Sequence, residues 1–189
     1  MAKIIKGPET LLFPLPVVLV SARGKPPLKD NLITIAWAGI ICSEPAMLSI
    51  SVRPSRYSYG IIKDTKEFGV NIPSVRLAKE VDYCGVTSGK DTDKFTACKF
   101  TKFEARSIKA PLVKECPVNI ECKVINRTTV GDHDLFLGEV VFVHADEDKI
   151  DERGSIITEK LDMLIYITGQ YWSVGKYLGK LGFTRKTGD

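Results

Sequence analysis

Long hydrophobic runs are missing from this sequence. The most apolar stretch near the N-terminus, Leu11 to Val20, is broken by Pro14 and Pro16, and nothing approaches the roughly 20 residues of a membrane-spanning helix. No signal-peptide pattern is present either, so a cytoplasmic address without a membrane partner is expected. Histidine is scarce, with two in the chain, and His133-Asp134 alone supplies too few ligands for a metal centre. No metal site is expected. The five cysteines, at 42, 84, 98, 116 and 122, are odd in number, widely spaced and include no Cys-x-x-Cys pair. That pattern suggests neither a zinc cage nor a disulfide framework, and reduced, mostly buried thiols are expected. Blocks of like charge are also absent: the net charge of +4 is spread along the chain, and its aromatics are not interleaved with clustered bases. Nucleic-acid binding is therefore a minority reading, with salt-dependent oligonucleotide binding as its mark. A diffuse positive field suits anionic small molecules such as phosphorylated cofactors.

What is present is a chain of 189 residues, 44% hydrophobic, enough for one domain spanning 1–189 with a substantial core. Val17 to Arg23 is β-branched and apolar and ends at the polar turn Gly24 to Pro27, as a strand would. Asn31 to Trp37 reads as a second strand. Met47 to Arg53 alternates sharply, with Leu48, Ile50 and Val52 on one face and Ser49, Ser51 and Arg53 on the other. Ser55 and Ser58 are natural N-cap side chains for a short helix to about Thr65. Phe68 to Ile72 reads as a strand stopped by Pro73. Ser74 then caps a helix carrying Leu77, Val81 and Cys84 on one stripe, with Gly85 just past its end. Asp91 to Ala110 reads as a long packed loop. Pro117 to Thr129 and Leu135 to Ala145, around Val130-Gly131-Asp132, predict a β-hairpin. Met163 to Thr168 is the last strand expected, and the glycines of the Tyr171 to Leu181 tail weaken a helix there. Six or seven strands with two short helices imply a mainly β fold, a closed antiparallel barrel with helices over an opening.

Several chemistries are excluded by their motifs. Gly85 to Lys90 has three residues between its glycines where a P-loop has four, Asp91 follows the lysine, and the segment follows a helix. No Gly-x-Ser-x-Gly elbow supports a catalytic serine. Ser51 to Ser58 is more informative: two arginines, several hydroxyls and the free N–H groups of a helix start fall within eight residues, as a grip on a terminal phosphate requires. A capped helix with solvated arginines remains the alternative for the same residues.

With those residues in view, the chain resembles the flavin reductase-like, FMN-binding split-barrel family that includes the flavoredoxins. The likeness rests on Asn31 to Trp37, on Ser51 to Ser58 running on to Phe68–Ile72, on Ser88-Gly89 with Asp93-Lys94-Phe95, and on Gly131-Asp132-His133 with Gly138-Glu139-Val140. The resemblance implies a six-stranded antiparallel split β-barrel of Greek-key type with short covering helices, assembled as a homodimer. It implies FMN as cofactor, with Asn31, Thr34, Ala36 and Trp37 along the isoalloxazine and ribityl chain. Ser51, Val52, Arg53, Ser55, Arg56 and Ser58 would surround the ribityl and phosphate end. Lys94 would help hold the phosphate or the ribityl hydroxyls, and His133 would act near the open flavin face, with Tyr171 and Trp172 shaping that space. Simpler fates stay open for three of these: barrel core for Trp37, surface charge for Lys94, a solvated turn for His133. The implied activity is an NAD(P)H-dependent flavin or acceptor reductase, with NADH or NADPH as donor. The alternative is a flavoredoxin-type electron carrier with FMN permanently bound and a redox protein as partner.

Overall fold

The computed structural model describes residues 1–185. Its strands, in chain order, are β1 (Leu15–Pro16), β2 (Val18–Ala22), β3 (Asn31–Ile35), β4 (Ala38–Ser43), β5 (Ala46–Val52), β6 (Glu67–Ile72), β7 (Lys102–Phe103), β8 (Leu112–Val113), β9 (Val118–Val130), β10 (His133–Ala145), β11 (Leu164–Ile167) and β12 (Gln170–Ser173). The helices are α1 (Tyr57–Thr65), α2 (Ala78–Val86) and α3 (Lys94–Ala97). Antiparallel pairing orders seven strands as β3-β2-β6-β9-β10-β5-β4, while β1, β11 and β12 make a small second sheet and β7 pairs with β8.

The two edges of the large sheet, β3 and β4, are consecutive in the chain and joined by Ala36 and Trp37 alone. The three peptide steps from Ile35 to Ala38 reach roughly 10 Å, so the sheet must curl until its edges nearly meet. Closure is incomplete. The Ser51 amide donates to the Trp37 carbonyl at 2.9 Å, carrying the β4–β5 pairing one residue further, but β3 forms no ladder with β4 or β5. The six strands of the split barrel that the resemblance implies are thereby corrected to seven, and the closed barrel read from the strand pattern to one that does not close. The reason lies in Asn31–Trp37, read from the sequence as one strand: it ends at Ile35, and a bend at Ala36 turns the chain into β4. Strand β4 escaped detection because Gly39, Ile40 and Ile41 are all exposed, leaving no alternation to read.

Strand β2 shows how the barrel carries its helices. Val18, Val20 and Ala22 point inward to a core with Ile33, Ile50, Phe68 and Phe136, while Leu19, and Val17 just before the strand, point outward to a second core with Val81, Cys84, Phe95 and Phe100. Both faces are buried, so α2 and α3 are held on the outside of β2 and β3 by side chains worth roughly 1.5 to 3 kcal/mol each when fully removed from water. The β9–β10 hairpin forms as expected, with His133 opposite Val130 and Gly131 at φ 62° in the turn. Ser74 does not cap α2. A 3₁₀ turn at Val75–Leu77 intervenes, the Ser74 hydroxyl makes no cap bond, and its backbone bridges to Met163. The Asp91–Ala110 segment contains α3, whose cap is Asp93 accepting from the Phe95 and Thr96 amides at 3.0 and 3.2 Å. In the tail, Gln170–Ser173 forms β12 instead of a weak helix.

Candidate functional site

The split between β3 and β5 opens into a cleft of about 520 Å³, within the roughly 300 to 1,000 Å³ of small-molecule sites. One wall is the end of β3 and the bend after it, Ile33 to Trp37, and the facing wall is Ser51 to Arg53 with Arg56. The end of α2 contributes Asp82, Gly85 and Val86, and the β11–β12 hairpin brings Tyr166, Gly169 and Tyr171 to the mouth.

One end of the cleft is aromatic. The Trp37 and His133 rings lie 4.8 Å apart at 36°. His133 Nδ1 sits 2.7 Å from Asp132 Oδ1, and the other Asp132 oxygen meets Arg53 Nη2 at 3.1 Å. The His133 hydrogen bond holds the Asp132 carboxyl below the usual carboxylate range, and Arg53 adds to it. Exposed pairs of this kind contribute little stability, about 0 to 1 kcal/mol. Their effect is to orient the imidazole against Trp37. At the mouth, burial pushes the Tyr171 hydroxyl up to about 12, with the Asp82 charge adding to it, so near neutrality this phenol is a protonated donor.

The other end is positive. Helix α1 begins at Tyr57 with Arg56 as N-cap, makes no side-chain cap bond and carries no acidic residue in its first turn. Ser55 and Ser58 are therefore not its caps. Ser55 lies exposed in the turn before the helix, and Ser58 is buried, its Oγ accepting from Asn31 Nδ2 at 2.8 Å. Lys94 is buried as well, and its ammonium donates to the Leu32 and Cys84 carbonyls at 2.8 and 2.7 Å. No carboxylate lies within salt-bridge distance of Lys94 among the described residues. Burial lowers its pKa, and the Arg56 charge lowers it further. Arg56 and the open N–H groups at the start of α1 thus mark this end, with the buried Lys94 ammonium behind the α2 wall and close enough to feel the Arg56 charge.

Of the residues anticipated for the site, Thr34, Ala36, Trp37, Ser51, Val52, Arg53, Arg56 and His133 line the cleft. Asn31 and Ser58 are buried and bonded to each other, Lys94 is buried behind the α2 wall, and Ser55 faces solvent. Tyr171 is in the lining; Trp172 is exposed and outside it. Sequence reasoning missed Asp82, Gly85 and Val86. Their signal was the glycine: α2 runs through Gly85 to Val86, and a Cβ at Gly85 would sit 3.4 Å from Thr34 Cβ, so the helix packs close to β3. The Thr34 hydroxyl completes the joint by donating to the Val81 carbonyl.

Gly89 is the tightest point near the positive end. A Cβ there would fall 2.3 Å from Asn31 Oδ1 and 2.6 Å from Tyr57 Cδ1, while Asn31 is pinned by Ser58. Gly89→Ala is expected to cost about 1 to 3 kcal/mol of stability, the range for overpacking, read as a lower midpoint in urea; an unchanged midpoint would mean the Ser88–Asp91 turn yields freely.

Residues 10–175 match the model of the flavin reductase like domain. The chain belongs to this flavin reductase-like family. A flavoredoxin structure from Desulfovibrio vulgaris (Miyazaki F) superposes with a TM-score of 0.90 at 32% identity, covering 97% of this chain and 99% of that one. The flavoredoxin from Methanosarcina acetivorans gives 0.89 at 32% identity, covering 98% of each. An uncharacterized protein of Archaeoglobus fulgidus is 34% identical over 139 residues, 73% of this chain and 77% of its own length. The chain is mainly β with a sheet that does not close, and no helix among the described residues is long and apolar enough to cross a membrane.

Proposed function

We propose that the chain is a single-domain cytoplasmic flavoprotein that binds FMN in the split and works as an NAD(P)H-dependent flavin or acceptor reductase. The observation that supports FMN binding is one cleft with an aromatic end at Trp37 and His133 and Arg56 in its lining, backed behind the α2 wall by a buried Lys94 that no carboxylate among the described residues neutralises. A buried charge left unpaired is costly. A phosphate provides the missing counter-charge, while Tyr57 and Ser58, at the open start of α1, offer it N–H groups.

When bound, FMN supplies hydride and single-electron chemistry that no side chain here offers. The chain's own residues bind, orient and shield. Arg56 would hold the phosphate end, with the Lys94 charge acting from behind the α2 wall, and Ser51 and Arg53 would serve the ribityl hydroxyls. Thr34 holds the α2 wall through Val81, and Trp37 with His133 shapes the space where a donor must come within about 3 to 3.5 Å of the reacting atom. Asp132 fixes the His133 ring, and Tyr166 and Tyr171 restrict water at the mouth. A homodimer belongs to the same reading. It is supported by the edge strand β4, where Ile40 is 77% exposed, and by exposed Leu12 beside it.

The likeness to two flavoredoxins at 32% identity favours a second reading, an electron carrier with FMN as a fixed prosthetic group and a redox protein as donor. Purified protein is expected to show a flavin spectrum and to release FMN on denaturation; a colourless preparation that takes up no FMN removes both readings. Anaerobic mixing with NADH or NADPH separates them. Bleaching of the flavin band within seconds supports the reductase, and a band that stays oxidised leaves the carrier.

A further inference from the structure

The α2 wall of the cleft carries a feature that flavin binding does not use. Cys84 and Cys98 bring their sulfurs to 3.7 Å, Cys84 from the last turn of α2 and Cys98 from the residue that ends α3. Cys84 is fully buried in the outer core, while Cys98 is partly exposed. A disulfide needs an S–S separation of about 2.05 Å, so a shift of under about 2 Å closes the pair. Lys94 sits between them in sequence and anchors α3 to the Cys84 carbonyl at 2.7 Å, fixing the two helices at this approach.

We propose that Cys84 and Cys98 form an oxidation-responsive dithiol, which hydrogen peroxide converts to an intramolecular disulfide tying α2 to the end of α3. The partly exposed Cys98 meets the oxidant first. Its thiolate attacks one peroxide oxygen, the O–O bond breaks, and the departing hydroxide takes a proton to leave as water. Cys84 sulfur then attacks Cys98 sulfur, the S–O bond breaks, and a second water leaves with the Cys84 proton. Two thiols and one peroxide give one disulfide and two waters, each cysteine losing one electron and the peroxide gaining two. Gly85 and Val86, next to Cys84 in α2, line the cleft, so the new bond fastens the helix that forms this wall. Burial pushes the Cys98 thiol above its ordinary range. The first step is accordingly slow at neutral pH and quickens as the pH rises.

The test is to treat the purified chain with excess hydrogen peroxide, alkylate it under denaturing conditions and map the unreduced peptides by mass spectrometry. The expected product joins the Cys84 and Cys98 peptides with the loss of two hydrogens, reverts with dithiothreitol, and lowers the titratable thiols from five to three. Five titratable thiols after treatment overturn the proposal. So does Cys98 found as sulfinic acid beside an alkylated Cys84, or a bridge that joins other cysteines or two chains. Cys98→Ser, a change at a partly exposed site, is expected to leave Cys84 alkylatable after the same treatment. Loss of Cys84 alkylation in that variant also overturns it.

Discussion

Lys94→Met is expected to weaken FMN binding by about 2 kcal/mol, roughly thirtyfold, without unfolding the protein. The figure is that of a hydrogen bond to a charged group. The apo protein responds differently because two effects oppose each other there. Methionine removes a buried ammonium that has no carboxylate partner, and it also removes the donor to the Leu32 and Cys84 carbonyls. Exchanging an imperfectly paired buried charge for an apolar side chain of similar length is often near neutral, so apo stability should shift by no more than about 1 to 2 kcal/mol. The pH dependence gives a second readout. The folded pKa of Lys94 is lowered, so between that value and the ordinary ~10.4 the unfolded chain binds more protons than the folded one. Over that alkaline window apo wild-type stability should rise relative to Lys94→Met as the pH increases. Flavin titration by fluorescence and urea denaturation at several pH values measure both. A folded variant with unchanged FMN affinity and greatly reduced stability would reduce Lys94 to a structural brace and take the phosphate end of the site with it.

Lys94 also shows where the sequence could and could not be read. The alternation of β5 and the long runs of β9 and β10 are visible because those strands have differing faces or end in a glycine turn, and burial on one face enforces period two. Strand β4 lacks that constraint, so the split barrel that the resemblance implies is one strand short of the seven-stranded sheet. The Ser51–Arg56 segment was legible as a ligand wall because its polar face alternates with core residues Ile50 and Val52. Ser55 and Ser58 misled, since a hydroxyl near a helix start has several uses, and Ser58 serves Asn31 instead of the helix. Tyr166, Gly169 and Asp82 were absent from the expected lining because nothing local marks them, and the one local mark, Gly85, reads equally well as a helix end. They reach the cleft through the packing of α2 and β11–β12 on β3, a tertiary relation that no window of sequence contains.

The largest loss of stability is expected at a site no motif announced. Glu121 on β9 is fully buried and accepts from three successive backbone amides, Arg106 at 2.6 Å, Ser107 at 2.7 Å and Ile108 at 3.2 Å, with His144 Nε2 at 2.6 Å. One carboxylate thus anchors the irregular connection between β7 and β8, whose Ile108 and Ala110 are core residues. Glu121→Ala strands those donors and should cost about 3 to 5 kcal/mol. Glu121→Gln keeps one acceptor oxygen and should cost about half as much. Burial alone would raise this carboxyl, but the bonds from His144, Arg106 and Ser107 outweigh it and hold the pKa below the ordinary value. Because the folded value is the lower one, the stabilisation is complete above the unfolded pKa of ~4.3 and is lost as the pH falls through the folded value. Wild-type stability should therefore drop toward acid more steeply than that of Glu121→Gln, which has no proton to gain at this position. Urea denaturation of the three proteins at pH 7 and pH 3.5 tests this. Parallel acid losses in wild type and Glu121→Gln would show that the amides are held by the fold around them rather than by the charge they share.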